Sequence, residues 1–303
     1  MKKRIMKKYL FVFQVLIIIM ILSSCKDNPK TPPTQLNEPY LIIDCFGAWS
    51  PDGHTIAYFH PDTALLPLKA GLYIIDTNGT NKIQLTFEDL ISGIDWSPDG
   101  NWIVFGSYTQ IYKIKRNGDS LTPLTNQGSN FSPSWGPDGQ WIVYESGSND
   151  SVSDNGIWKI RNDRSQRIHI IDQGIMPSWS PSGIKIVHQR YFSNILPPEL
   201  FTVDTSGNNL TRLTFDNDWF EEMPKYSPDG LMISYSATPA SGIAYHLWVI
   251  NSDGSNKHQI STHGYAPDWS PDGKMIIYTN TSTNSGRLWI MDKDGNNKKQ
   301  VTL

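Results

Sequence analysis

Seven histidines (His54, His60, His169, His188, His246, His258, His263), two cysteines and the run Asp292-Lys-Asp-Gly295 are the residues whose types could do chemistry. Metal sites and nucleophile–base pairs require such groups at short, characteristic spacings. The histidines show none, and the chain contains no Gly-x-Ser-x-Gly, His-Glu-x-x-His, Cys-x-x-Cys or Gly-rich phosphate loop. Asp292, Asp294 and Asn296 could offer oxygen ligands, but an EF-hand-type calcium loop places its glycine sixth and closes on a glutamate. Gly295 is fourth and no glutamate follows. The same segment recurs as Asp76-Thr-Asn-Gly79, Asp204-Thr-Ser-Gly207 and Asn251-Ser-Asp-Gly254, as a hairpin turn would. These residues therefore predict no catalytic residue, no metal site and no cofactor.

The elements around them are far more regular. A large aromatic precedes a tight turn six times: Trp49-Ser-Pro-Asp-Gly53, Trp96-Ser-Pro-Asp-Gly100, Trp135-Gly-Pro-Asp-Gly139, Trp179-Ser-Pro-Ser-Gly183, Tyr226-Ser-Pro-Asp-Gly230 and Trp269-Ser-Pro-Asp-Gly273. Successive aromatics lie 47, 39, 44, 47 and 43 residues apart, the period of propeller blades. Between turns run short segments rich in β-branched and aromatic residues, such as Trp102-Ile-Val-Phe105 and Ile111-Tyr-Lys-Ile114, followed by a closing Leu124-Thr125. Four such strands per unit predict an all-β, six-bladed β-propeller over residues 39–303, with four antiparallel strands per blade. The third unit departs most, because Arg161-Asn-Asp-Arg164 lacks the glycine and Ile170-Ile171-Asp172 replaces the Leu-Thr ending. The recurring tryptophans, including Trp158, Trp248 and Trp289, are expected to pack between blades. Two closures stay open: packing of the first blade on the last, or Tyr40-Leu-Ile-Ile43 added to the last blade as an outer strand.

Residues 1–24 read as a lipoprotein signal peptide. Lys2, Lys3, Arg4, Lys7 and Lys8 form a cationic start to an apolar run from Tyr9 to Leu22, too short for a membrane span. The run ends in Leu22-Ser23-Ser24-Cys25, which resembles the bacterial lipobox and implies cleavage before Cys25 and lipid attachment to its sulfur. Residues 25–38, rich in Pro, Asn and Thr, read as a flexible tether. Lys26 does not resemble the inner-membrane retention signal. The expected location is thus the bacterial envelope, lipid-anchored at the outer membrane and facing the periplasm, with surface exposure as the variant. Removing five basic residues from 26 leaves 21 against 29 acidic ones, a charge that argues against nucleic acid. Cys45 is then the one remaining cysteine, so no intramolecular disulfide is available. Lys113, Lys115, Arg116, Lys159, Arg161, Arg164 and Arg167 fall on matching hairpins of units two and three and read as solvated tips.

Propeller topology puts the uniform turns on one face and the longer connections on the other. Long loops on a rigid scaffold are where binding resides. Aromatics that no strand pattern claims single out Trp219, Phe220, Glu221 and Glu222 in a blade-to-blade loop. Tyr191, Phe192, Tyr245 and His246 in adjacent loops, and Tyr265 from unit six, complete the candidate binding face.

The repeat Trp96-Ser-Pro-Asp-Gly … Ile111-Tyr-Lys-Ile … Asn-Gly … Leu124-Thr125 resembles that of the TolB-type β-propellers. The resemblance covers residues 39–303, without the α/β domain that precedes the propeller in TolB. It implies an envelope scaffold for protein–protein contact whose partner is another envelope protein, and no enzyme. The alternative is a glycan-directed protein with its site in the central funnel, where Asp95, Asp268, Glu221, Glu222 and His263 would supply the carboxylates and imidazole.

Overall fold

In a computed structural model of the protein, described for residues 44–61, 69–88, 90–147, 155–191, 197–242, 244–282 and 286–303, every regular element is a strand. Blade one contains β1–β4 (Cys45–Trp49, Thr55–His60, Gly71–Asp76, Ile83–Gln84) and blade two β5–β8 (Ile91–Trp96, Trp102–Ser107, Gln110–Lys115, Thr122–Pro123). Blade three contains β9–β12 (Ser129–Trp135, Trp141–Gly147, Gly156–Arg161, Arg167–Asp172) and blade four β13–β16 (Gly174–Trp179, Lys185–Arg190, Glu199–Asp204, Thr211–Arg212). Blades five and six contain β17–β20 (Trp219–Tyr226, Met232–Pro239, His246–Asn251, His258–Ser261) and β21–β24 (Tyr265–Trp269, Met275–Asn280, Arg287–Asp292, Lys299–Gln300). Each blade is one antiparallel sheet of sequence-consecutive strands, the six-bladed propeller that the repeat predicts. The signal peptide, Cys25, the tether and Tyr40–Ile43 lie outside the described residues.

The repeated turn has a local cause. The Ser50 hydroxyl donates to Asp52 Oδ1 at 2.6 Å and accepts the Thr55 N–H at 3.0 Å, while the Gly53 N–H donates to the Ser50 carbonyl. Glycine ends this turn in every blade, at φ between 68° and 74°, where a side chain would be strained. Blade three has Gly136 instead of serine, and Asp138 accepts the Trp141 N–H itself at 3.3 Å. In the second turn of that blade Arg164 adopts φ 67°, where the other blades place a glycine at 85–90°. A non-glycine residue there carries strain, so Arg164→Gly is expected to raise stability by about 0.5–1 kcal/mol in urea unfolding. A loss would show that the Arg164 side chain contributes more than its backbone costs.

Six apolar clusters form the core, each spanning one blade junction. Ile103, Phe105 and Ile114 of blade two meet Ala57, Leu72 and Ile74 of blade one, for example, and Tyr235 and Ile250 of blade five meet Val187 and Leu200 of blade four. Trp158, Trp248 and Trp289 pack on the clusters between blades two and three, four and five, and five and six. The fourth residue of the second strand is a fully buried aromatic in five blades: Tyr58, Phe105, Tyr144, Tyr235 and Tyr278. Burying each contributes roughly 1.5–3 kcal/mol. His188 takes that place in blade four, stacked on Phe201, and burial pushes its pKa down to about 4. It is a neutral core residue.

The cationic hairpins tie blades together. Lys113 lies 4.6 Å from the Trp102 ring and donates to the Asn162 carbonyl; Lys159 lies 5.1 Å from the Trp141 ring and donates to the Thr205 carbonyl. Arg116 pairs with Asp52 at 2.6 Å across blades two and one, and Arg167 packs 4.0 Å from the Trp158 ring.

The first strand of each blade lines the axis and carries a bulge with one residue at positive φ: Phe46, Gly93, Ser132, Met176, Met223 and Ala266. Proline follows in four of them, Pro133, Pro177, Pro224 and Pro267, where a missing N–H is tolerated at an unpaired edge. The residue before the blade aromatic then reaches the neighbouring blade. Asp95 Oδ2 accepts the Trp135 N–H at 2.8 Å, and Asp268 Oδ2 accepts the Trp49 N–H at 2.9 Å.

That last bond belongs to the closure of the ring. Asp44, 1% exposed, holds blade six by both backbone and side chain. Its N–H donates to the Gly286 carbonyl at 3.1 Å and its carbonyl accepts the Thr279 hydroxyl at 3.0 Å. Its carboxylate meets His60 Nδ1 at 2.6 Å and Arg287 at 3.5 Å. Around this clasp, Ile56, Tyr58 and Tyr73 pack on Ile277, Leu288 and Val301. Among the described residues, blade six is closed by packing and this polar clasp, with four strands of its own.

Candidate functional site

The axis itself offers little room. The first strands leave a channel of about 40 Å³, lined by Phe46, Ile94, Met176, Met223 and the bulge prolines, with Lys225 as the charged group. Pockets for small molecules usually run to roughly 300–1,000 Å³. Asp95 and Asp268, the acids expected nearest the funnel, are engaged as ties between blades, and burial pushes Asp268 up to about 6. His263 is exposed and hydrogen-bonds Thr262. Among the described residues no three His, Cys, Asp or Glu side chains converge where an ion could be held.

The predicted binding residues divide differently. Trp219, Phe220, Glu221 and Glu222 are not in a blade-to-blade loop: they open β17, the first strand of blade five, paired with Pro239, Thr238, Ala237 and Ser236. The strand extends because its partner β18 runs on to Pro239, a length that the spacing of turns does not reveal. Trp219 packs edge-on against His246 at 5.1 Å and Trp248 at 5.4 Å, so these side chains build the blade. His246 begins β19 and hydrogen-bonds Gln259. Phe192 lies outside the described residues.

Strand alternation sends Glu221 and Glu222 to opposite faces, and their fates separate. Glu221 is fully buried, paired with Lys257 at 2.7 Å and bonded by the Thr214 hydroxyl. Among the described residues Glu222, 8% exposed, meets no cation, and its Oε2 is buried with no hydrogen-bond partner. Burial alone pushes its pKa up to about 7.

Three of the other predicted residues lie within the electrostatic reach of this carboxyl group. The hydroxyls of Tyr191, Tyr245 and Tyr265 are held protonated, by burial first and then by the field of Glu222. Tyr245 and Tyr265 meet edge-on at 4.7 Å, and Tyr265 lies 6.2 Å from Phe46, which lines the channel. Tyr265 is 2% exposed with an unpartnered hydroxyl, whereas Tyr191 and Tyr245 are partly exposed on the long connections of blades four and five. Two residues were missed from the sequence. Glu145 of β10 accepts the Met176 N–H at 3.3 Å and also acts on Tyr191. Gln189 of β14, two residues before Tyr191, is fully buried, with neither end of its amide partnered among the described residues. Neither sits in a motif, and only the juxtaposition of blades three, four and five marks them.

Fold and repeat together define a TolB-type propeller. The family profile "TolB beta propeller domain" (PD40) matches residues 43–218 and 177–303, and the chain belongs to that family. It is 31% identical over 118 residues to the Tol-Pal system protein TolB of Alcanivorax borkumensis, a match over 38% of this chain and 26% of the relative. The chain thus aligns with about a quarter of that relative's length. Among solved structures it resembles TolB from Acinetobacter baumannii, with a TM-score of 0.70 and 24% identity over 80% of this chain and 62% of that one. It also shares its fold with an oligogalacturonate lyase in complex with manganese, with a TM-score of 0.59 and 10% identity over 86% and 77% of the two chains.

Proposed function

We propose that the chain is a bacterial envelope scaffold, tethered to the membrane through a lipid on Cys25, that holds another envelope protein on the loop-bearing face of its propeller. The observation that carries this reading is the Glu222–tyrosine cluster: on that face, buried polar groups are left without partners among the described residues. Unpartnered buried polar groups are costly and rare in a finished core. Family membership supports a protein partner, since the similar A. borkumensis protein is named for the Tol-Pal system. The glycan-directed alternative is disfavoured by a channel of about 40 Å³ whose nearest acids are tied between blades.

Crosslinking of the native lipidated protein in its envelope, followed by affinity purification and mass spectrometry, tests the proposal. One stoichiometric protein partner is expected, reduced at least tenfold by Tyr191→Ala combined with Tyr245→Ala. Cys25→Ser should move the protein from the membrane to the soluble fraction. Recovery without a protein partner, or capture unaffected by the two tyrosine substitutions, would overturn the docking face. Trp219 is not a useful probe, because its packing in blade five would confuse lost binding with lost stability.

A further inference from the structure

Resting on the docking reading above, we propose that Glu222, together with Tyr191, Tyr245 and Tyr265, is a receptor for an ammonium group carried on a basic segment of the partner polypeptide. Three independent observations converge on it. Glu222 is 8% exposed, and among the described residues neither an arginine nor a lysine pairs with it, although the adjacent Glu221 has Lys257 at 2.7 Å. A second buried polar group shares the defect: the Tyr265 hydroxyl has no partner among the described residues. Cations are also fewer than acids in the connections of this face. Among the described residues, the connections between second and third strands and between blades hold Glu88, Asp216 and Asp218 against one cation, Lys69, while Arg190 ends β14 next to Tyr191 with its guanidinium on Gln173. A face so biased attracts a basic chain and repels an acidic one.

The chemistry fits an ammonium closely. A carboxylate compensates its charge, tyrosine hydroxyls accept its N–H groups, and aromatic faces attract cations. Tyr191 and Tyr245 are the partly exposed members, so access requires these two side chains to turn while the sheets stay in place. The immediate neighbour of Glu222 shows the same logic completed internally, with the Lys257 ammonium between Glu221, Asp216 and the Trp248 ring.

The test uses n-butylammonium as probe and n-butanol as its neutral counterpart, added to the purified full chain in phosphate buffer at pH 8 and constant ionic strength. With a dissociation constant near ~5 mM, 50 mM n-butylammonium should raise Tm by about 3–5 °C. Glu222→Gln should abolish the shift, and Tyr245→Phe should reduce it while the fold is retained. A lysine-containing peptide, acetylated either at its N-terminus or at its side chain, then identifies which amine is read. An equal shift with n-butanol, a shift retained in Glu222→Gln, or equal binding of the peptide acetylated at both amines would overturn the proposal. If these fail while the envelope crosslink persists and remains sensitive to Tyr191 and Tyr245, the docking face stands and the ammonium receptor falls.

Discussion

Asp44→Ala is expected to lower the stability of the propeller by about 3–5 kcal/mol, the cost of breaking a buried ion pair and stranding its partners. For a domain of this size that corresponds to a fall in Tm of roughly 10 °C. The carboxylate is the meeting point of His60 at 2.6 Å and Arg287 at 3.5 Å, and both it and His60 are almost fully buried. Among the described residues His60 Nε2 has no partner, so the imidazole would lose its one polar contact there. The effect should be large because a propeller is a closed ring, and β1 meets β21 and β22 at the single junction where chain continuity does not help. Lys293→Ala, which removes the exposed Lys293–Asp294 pair, should change stability within experimental error. The measurement is urea unfolding followed by tryptophan fluorescence. A cost for Asp44→Ala below about 1 kcal/mol would mean that the apolar contacts of Ile56, Tyr58 and Tyr73 with blade six suffice to close the ring.

The second large effect depends on pH. Glu222 has a folded pKa of about 7 against an ordinary value of 4.5, raised by burial. The folded state therefore holds this proton more tightly than the unfolded chain. Below pH 4.5 both states are protonated and burial costs nothing electrostatically. As pH rises toward 7 the unfolded chain ionises first, and the folded state loses relative stability; above 7 the full penalty is present. Over 2.5 pH units this amounts to about 3 kcal/mol. Glu222→Gln removes the titration, so the variant should exceed the parent by about that amount at pH 8 and match it near pH 4.5. Comparing the two proteins at each pH cancels groups common to both, including His188, whose depressed pKa acts in the opposite direction. The buffer must lack amines, since an ammonium bound at Glu222 would mask the penalty. A difference that does not vary with pH would show that Glu222 is ionised without cost and is paired in solution.

The two effects bear on different parts of the protein. Asp44 concerns whether the ring closes, and its loss should weaken every blade junction indirectly. Glu222 concerns a local defect that an external group can relieve. A residue that destabilises its own fold at neutral pH is retained most simply when it has work to do at a surface.

What the sequence by itself determined is the fold, because propeller blades repeat their local chemistry. Each Ser-Pro-Asp-Gly turn is self-contained: the Ser50 hydroxyl, the Asp52 carboxylate and the positive φ of Gly53 involve residues within a few positions. Their even spacing fixes the number of blades, and the aromatic before each turn announces a buried junction. Tyr191, Glu222, Tyr245 and Tyr265 could also be named, as aromatics and acids that the repeat does not require. Their arrangement could not. Reading Trp219–Glu222 as a loop failed because the length of β17 is set by its pairing with β18, a property of two strands together. The inner-strand bulges left little trace, since only Gly93 of the six positive-φ residues is a glycine. Asp44 and Gln189 had no motif at all. Their significance lies in the folded chain: one joins residues 44 and 287, and the other is a fully buried amide unpartnered among the described residues. Local sequence encodes turns and strands through short-range sterics and hydrogen bonds. Which buried charge is compensated depends on what distant blades bring to it, and only the tertiary structure decides that.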